Sequence, residues 1–332
     1  MSLLDSSIPS PPSSASDVPH PAAAAGPLQA SGARPSTARA PLVERVLSAD
    51  DATTMRGALR DLLAHRDLLM QLAARDVRVR YKQAVMGFAW AILTPLLLVG
   101  AGTILRIAVA TMAGAQLDPT DVGGIALKSF PWAFFAGAVG FAVQSITANI
   151  SLVTKIYFPR AVLPLGVIAA HLFDLGIGVA TLTVVLPFLG ATWSPALLWV
   201  LPLLLLLVTF TAGAGVLLAC ANLFFRDVKY ITQVLLTFGV FFTPVLFDAV
   251  AFGTRGARVL MLNPLAPILE GLRLAVMEGH NLLTPLVAAT GAGAVPAWEP
   301  WYLLYSVCWS FGLLAFAVAL FQRTQYLFAE YV

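Results

Sequence analysis

ALLWVLPLLLLLVTFTAGAGVLLACANLF, residues 196–224, runs for 29 positions without a charge. A helix rises about 1.5 Å per residue, so about 20 apolar residues cross a hydrocarbon core of ~30 Å. This stretch is long enough to span a membrane. Five more blocks qualify, near 85–109, 128–152, 161–188, 231–251 and 301–321. The whole chain agrees with them. Of its 332 residues 59% are hydrophobic and 11% charged, against about 25% charged in soluble proteins, and the mean hydropathy is +0.83. The fold class expected is an all-α membrane protein, with residues 84–332 forming a six-span domain.

Before the first block the composition changes twice. Residues 1–41 hold eight of the 22 prolines among Ser, Ala and Gly. Such a segment cannot offset its ordering entropy by burial, and a disordered tail is expected. It has no basic start leading into an apolar run, so it does not read as a signal peptide. Residues 42–83 read as a cytoplasmic segment ending in an amphipathic helix. Leu62, Leu63, Leu69, Met70, Ala73 and Val77 fall on one side at about 100° per residue, and Arg60, Asp61, Asp67, Arg75 and Arg78 on the other. Arg66 breaks the stripe. Such a helix lies in a membrane interface or on a protein surface; a span directly after it favours the interface.

Lysine and arginine give the orientation. Ten precede the first block, two follow the second (Lys155, Arg160), two the fourth (Arg226, Lys229) and one the sixth (Arg323), 15 of the 20 in all. The other side has Arg255, Arg258 and Arg273 in one long loop, with Arg106 and Lys128 near span ends. Both termini are therefore expected in the cytoplasm. The long outer loop, about 252–300, is apolar from Leu260 to Met277. Asn263-Pro264 suits a helix start, and a re-entrant helical segment fits better than a seventh span.

Missing motifs exclude whole classes. No glycine precedes any of the four lysines, so there is no G-x-x-x-x-G-K-[ST] loop to cradle a nucleotide phosphate. No G-x-S-x-G or H-E-x-x-H occurs. The four histidines (His20, His65, His171, His280) are scattered, and no catalytic residue or metal site is expected. Basic residues do not cluster with aromatics, so nucleic acid is not an expected partner. Cys220 and Cys308 lie at different depths of different spans and should not pair.

The polar inventory inside the spans is short. His171 and Asp174 are three apart on one helix face. They read as a functional intramembrane pair, or as a local hydrogen bond that offsets the cost of Asp174. Gln144 and Asn149 read as interhelical glue. Glu270 and Arg273 suit an intrahelical salt bridge. Phe238, Phe241 and Phe242 share a face of the fifth block, Phe134, Phe135 and Phe141 lie in the second, and Phe88 and Trp90 open the first. Aromatic faces stack on sugar C–H faces, and they also serve packing and lipid contact.

Four stretches together resemble the membrane permeases of ABC exporters for polysaccharides and polyol phosphates, the group serving O-antigen, capsule and teichoic acid. The first is Arg75-Asp76-Val77-Arg78-Val79-Arg80-Tyr81-Lys82-Gln83, with Gly87, Trp90 and Pro95-Leu96 after it. The second, Asn149-Ile150-Ser151-Leu152-Val153-Thr154-Lys155-Ile156-Tyr157-Phe158-Pro159-Arg160 with Leu163-Pro164, is the most telling. The third is Phe225-Arg226-Asp227-Val228 with Thr243-Pro244-Val245, and the fourth Asn263-Pro264 with Arg273. The resemblance covers about residues 60–332. Asp248-Ala249 departs from it where Pro is frequent, and Gln325 where an acidic residue is common.

The resemblance implies a homodimer in the cell inner membrane paired with two separate ABC ATPase subunits, which would hold the ATP and Mg; this chain would bind no cofactor. It implies a coupling helix on the ATPase formed by Asn149, Leu152, Lys155, Tyr157, Phe158, Pro159 and Arg160. Positive-inside charge explains Lys155 and Arg160 but not the aromatics beside them. A lipid-linked polysaccharide would arrive from the membrane lipid near the amphipathic helix, its pyrophosphate headgroup meeting Arg75, Arg78, Arg80 and Lys82. The channel would lie at the dimer interface between first and fifth spans, with Phe88, Trp90, Phe134, Phe238, Phe241 and Phe242 as lining candidates. Two other classes remain: an ion-coupled secondary transporter working through Asp174, and an intramembrane hydrolase, for which no glycine-flanked serine motif is present to meet His171.

Overall fold

The computed structural model describes residues 60, 64–82, 87, 89–112, 114, 116, 118–150, 159–290 and 293–324. The tail 1–41, and Leu152, Lys155, Tyr157, Phe158 and Phe88, lie outside the described residues. The elements in chain order are α1 (Arg66–Lys82), α2 (Ala89–Met112), α3 (Pro119–Ala142), α4 (Ser145–Ala148), α5 (Val162–Val185), α6 (Val200–Phe224), α7 (Val228–Phe242), α8 (Gly253–Met261), α9 (Leu265–Met277), β1 (Leu286–Thr290), β2 (Gly293–Trp298) and α10 (Trp301–Thr324). Short 3₁₀ turns flank α5, α6 and α8.

Five helices among the described residues are long and apolar enough to cross a membrane: α2, α3, α5 with its 3₁₀ extension to Leu189, α6 with its 3₁₀ start at Pro195, and α10. The fifth block differs from the expectation. It forms a helix of 15 residues, Val228–Phe242, about 22 Å long. Pro244 stops it: the ring pushes the preceding residue out of the α region, and Thr243 is extended at φ −119°, ψ 136°. The chain then turns through Ala249–Phe252 into α8 and α9.

The second block is displaced as well. It starts at Pro119 instead of 128 and ends at Ala142 instead of 152. The reason is a capping box, which an apolar window ignores. Asp118 accepts from the Thr120 amide at 3.0 Å, Asp121 accepts from the Asp118 amide at 3.3 Å, and Pro119 takes the first turn. Lys128, expected near a span end, therefore sits well inside α3.

Helices α3 and α6 are the central pair, buried for most of their length. Around α3 pack α2, α5, α6, α7 and α9. Helix α10 lies along α6, and Gly213 makes this possible: a Cβ there would stand 2.7 Å from the Leu314 amide nitrogen. A small residue lets two backbones meet, the usual device of helix pairs in lipid. Helix α1 docks on α5 through Leu72, which lies against Gly166, with Ala73 buried beside it. Met70, placed on the apolar stripe by periodicity, is exposed.

Helix α9 is the surprise of the outer loop. All its residues except Arg273 are buried. Asn263 opens it as the sequence suggests. Its Oδ1 accepts from the Leu265 amide at 3.1 Å, while its Nδ2 donates to Thr243 Oγ1 at 2.8 Å, tying the end of α7 to the start of α9. An antiparallel hairpin, β1–β2, follows and amends the all-α expectation locally. Its Trp298 is fully buried and donates to the Leu282 carbonyl at 2.9 Å.

Candidate functional site

A cavity of about 350 Å³ opens between α1, α2, α3 and α5. Its polar end is built by two neighbours in the last turn of α1. Arg80 Nη1 donates to Asp174 Oδ2, and the Tyr81 hydroxyl donates to Asp174 Oδ1. The spacing explains the pair. Leu72, Ala73 and Val77 press α1 onto α5, and Arg80 follows on the same face one turn later.

His171 stands one turn before Asp174. Its Nδ1 lies 2.9 Å from the Val167 carbonyl and 3.4 Å from Arg80 Nη2. Arginine only donates, so the two contacts need opposite states of Nδ1. The shorter one places the proton on Nδ1, donated to Val167. Phe141 covers both groups: its ring centre is 5.4 Å from that of His171 and 5.4 Å from Arg80 Cζ. Gly137 leaves room for the imidazole, since a Cβ there would sit 3.2 Å from His171 Cδ2. Trp90, Pro95, Phe130 and Phe134 complete apolar walls.

Burial first, and then the hydrogen bond to Asp174, push the Tyr81 phenol up to about 12. Tyr81 is thus a donor at any physiological pH. The site offers aromatic faces and one guanidinium whose charge is already matched. Aromatic walls and matched donors suit binding.

The structure gathers some of the expected residues and separates others. Arg80, Trp90 and Phe134 meet in the cavity. Arg75 pairs with Asp76 at 3.0 Å, Arg78 donates to the Ala74 carbonyl at 3.1 Å, and Lys82 is exposed. Phe238, Phe241 and Phe242 lie elsewhere, on the exposed face of α7 at 56%, 56% and 71% exposure. Asn149 bonds back to the Ser145 carbonyl at 2.8 Å, and Pro159 and Arg160 lead into α5.

Two local readings need correction, and a third holds within a wider setting. Asp174 is satisfied across helices by Arg80 and Tyr81 instead of by His171. The glue expected of Gln144 and Asn149 is supplied by Asn222, which donates to Thr147 Oγ1 at 3.4 Å and accepts from the Lys229 amide at 3.2 Å. The Glu270–Arg273 pair forms at 2.7 Å, but it belongs to a larger network at the opposite end of α3.

In that network Lys128 is fully buried and Glu270 is 1% exposed. Lys128 Nζ donates to Asp248 Oδ1 and to the Phe247 carbonyl, both at 2.9 Å, and lies 3.6 Å from Glu270. Arg106 of α2 reaches Asp121 at 2.6 Å and Asp248 at 3.7 Å. Arg273 adds Glu278 at 2.7 Å and Asp248 at 3.5 Å. Partners on this scale are what a buried ammonium requires. Asp248, the departure noted in the sequence, is the node that joins them.

No family model matches the chain. Among curated proteins it is similar to the O-antigen export system permease protein RfbA of Myxococcus xanthus. The two are 30% identical over 246 residues, 72% of this chain and 92% of that protein. It is also similar to two proteins of the same description from Klebsiella pneumoniae, each 28% identical. Those matches cover 64% and 80% of this chain, and 81% and 94% of the relatives.

Proposed function

The chain belongs to the family of O-antigen export system permeases, and on that premise we propose that it is the transmembrane subunit of an ABC exporter moving a lipid-linked polysaccharide across the cell inner membrane. The match over 92% of a relative's length, joined to five span-length apolar helices, carries this reading. Chemistry in this chain is not required. Two ABC ATPase subunits on the cytoplasmic side would bind ATP and Mg, and the segment 149–160 would dock on them.

Two copies of the chain form the transporter, with both termini in the cytoplasm. The aromatic face of α7 is exposed in one subunit, which supports a channel between α2 and α7 of the two copies. Helix α7 with the segment to Phe252 makes the sixth crossing, short because α8 and α9 return into the same layer. Helix α1 lies in the cytoplasmic interface, where Arg75, Arg78 and Lys82 face a pyrophosphate headgroup. Arg80 instead anchors the helix. That Asp174 is engaged by Arg80 and Tyr81 speaks against ion coupling through it.

The test is a mild-detergent pull-down of the tagged chain from its native membrane, with mass spectrometry of what comes along. A stoichiometric subunit with a Walker A loop is expected, with ATP-dependent glycan export in vesicles. A chain that purifies alone and moves solute without ATP refutes the reading.

A further inference from the structure

The ion contacts at the α9 end fall into two length classes, and the split has a mechanical meaning. Arg106–Asp121 at 2.6 Å, Lys128–Asp248 at 2.9 Å, Arg273–Glu270 at 2.7 Å and Arg273–Glu278 at 2.7 Å are tight. The contacts from Lys128 to Glu270 at 3.6 Å, from Arg273 to Asp248 at 3.5 Å and from Arg106 to Asp248 at 3.7 Å are loose. The tight contacts define two groups. Arg106, Asp121, Lys128 and Asp248 join α2, α3 and the turn after α7, and their charges cancel. Glu270, Arg273 and Glu278 belong to α9 and its end. Between the groups run two contacts, Lys128 to Glu270 and Arg273 to Asp248, and both are loose.

Breaking a buried ion pair is costly when it strands a charge. Parting these two groups leaves every member a tight partner on its own side; Glu270 and the part-exposed Glu278 share Arg273. The surfaces agree. Where α9 meets the start of α3, α3 presents Gly123 and Gly124. A Cβ at 123 would stand 2.6 Å from Met277 Cε, and one at 124 would stand 3.3 Å from Arg273 Cδ. Side chains of α9 thus rest on bare backbone. Interlocked ridges resist sliding; a glycine pair does not.

We propose that the contact between α3 and α9 is a shear plane on which the exporter opens its outer end. Small sliding of packed helices is one of the two common modes of domain motion. The proposal rests on the exporter reading above. Opening moves α9 along α3, exchanging only the two loose contacts between the groups, while Lys128 stays on Asp248 and Arg273 stays on Glu270.

The experiment uses the full chain assembled with its ATPase subunit in vesicles, carrying Gly123→Cys and Met277→Cys on a Cys220→Ser, Cys308→Ser background. A short, cleavable bis-maleimide joins the two thiols, and mass spectrometry gives the joined fraction. Joining should cut export by about tenfold or more, as for any step that limits turnover, and cleavage should restore it. Full export by the joined complex overturns the proposal, and absence of joined product overturns the packing it starts from. A second variant, Gly124→Ala, separates motion from folding. It should slow export several-fold while the thermal transition holds or rises; export at the parent rate, or a parallel loss of both, refutes a shear role. A parent complex without ATP-dependent export fails the exporter reading before any variant is tested.

Discussion

Replacing Arg80 by Met removes the guanidinium but keeps the length of the stem. Among the described residues, Asp174 then retains only the Tyr81 hydroxyl. Breaking a fully buried pair costs about 3–5 kcal/mol, and an exposed one about 0–1 kcal/mol. The side chains here are 28% and 18% exposed, so a cost of about 2–3 kcal/mol is expected, between those limits. At roughly 2–4 °C per kcal/mol, the thermal transition in detergent should fall by about 4–12 °C. Asp174→Leu alone should cost a similar amount, because Arg80 is then stranded beside Phe141. The double variant Arg80→Met, Asp174→Leu strands no charge, although the Tyr81 hydroxyl loses its acceptor, and should recover at least half of the loss. Differential scanning fluorimetry of the four proteins closes the cycle. A double variant as unstable as the sum of the singles would mean that the pair does not hold α1 on α5. An Arg80→Met protein as stable as the parent would mean the same.

The Tyr81 phenol gives a pH signature. Its pKa is raised from 10.0 to about 12 by burial and by Asp174, so the stability it adds is fully present below pH 10 and is lost as pH rises toward 12. The ultraviolet phenolate titration of the parent minus that of Tyr81→Phe should show the raised midpoint; a difference curve centred at 10 contradicts it. Gly213→Val should abolish the folded, monodisperse peak in size-exclusion chromatography, since its Cβ would meet the Leu314 backbone at 2.7 Å, whereas Gly176→Val, with open space around it, should not. Reversing charge at Arg78 and Lys82 together should reduce export by about tenfold, one unit of 1.4 kcal/mol in headgroup contact, with membrane insertion unchanged. Unaltered export would remove these residues from the substrate path.

The fold was legible where its physics is local and apolar. Residues 196–224 and 301–321 read as spans because length and charge decide the matter. Legibility failed where a few polar atoms override hydropathy. Asp118 and Asp121 start α3 nine residues early, and Thr243-Pro244 ends α7 after 15 residues. The cavity was half legible. Arg80, Trp90 and Phe134 stood out by type, but their meeting with His171 and Asp174 depends on a contact across more than ninety residues of chain, which periodicity does not encode. Asp248 stood out in the sequence only as a departure from the resemblance. Its meaning came only with Lys128, whose own depth depended on the capping box.

That depth bears on how the chain is made. Among the five span-length helices, α3 carries a lysine near its middle, and its nearest acidic partner lies 120 residues further along. An ammonium at the centre of a lone helix costs about 2.5–3.5 kcal/mol on insertion. At about 5–20 residues per second, a ribosome needs roughly 6–24 s to deliver Asp248 after Lys128. For that interval α3 must shelter at the insertion machinery or against α2, whose Arg106 already holds Asp121. Biogenesis therefore runs backward at this point, the later-made half of the protein completing the membrane placement of the earlier one.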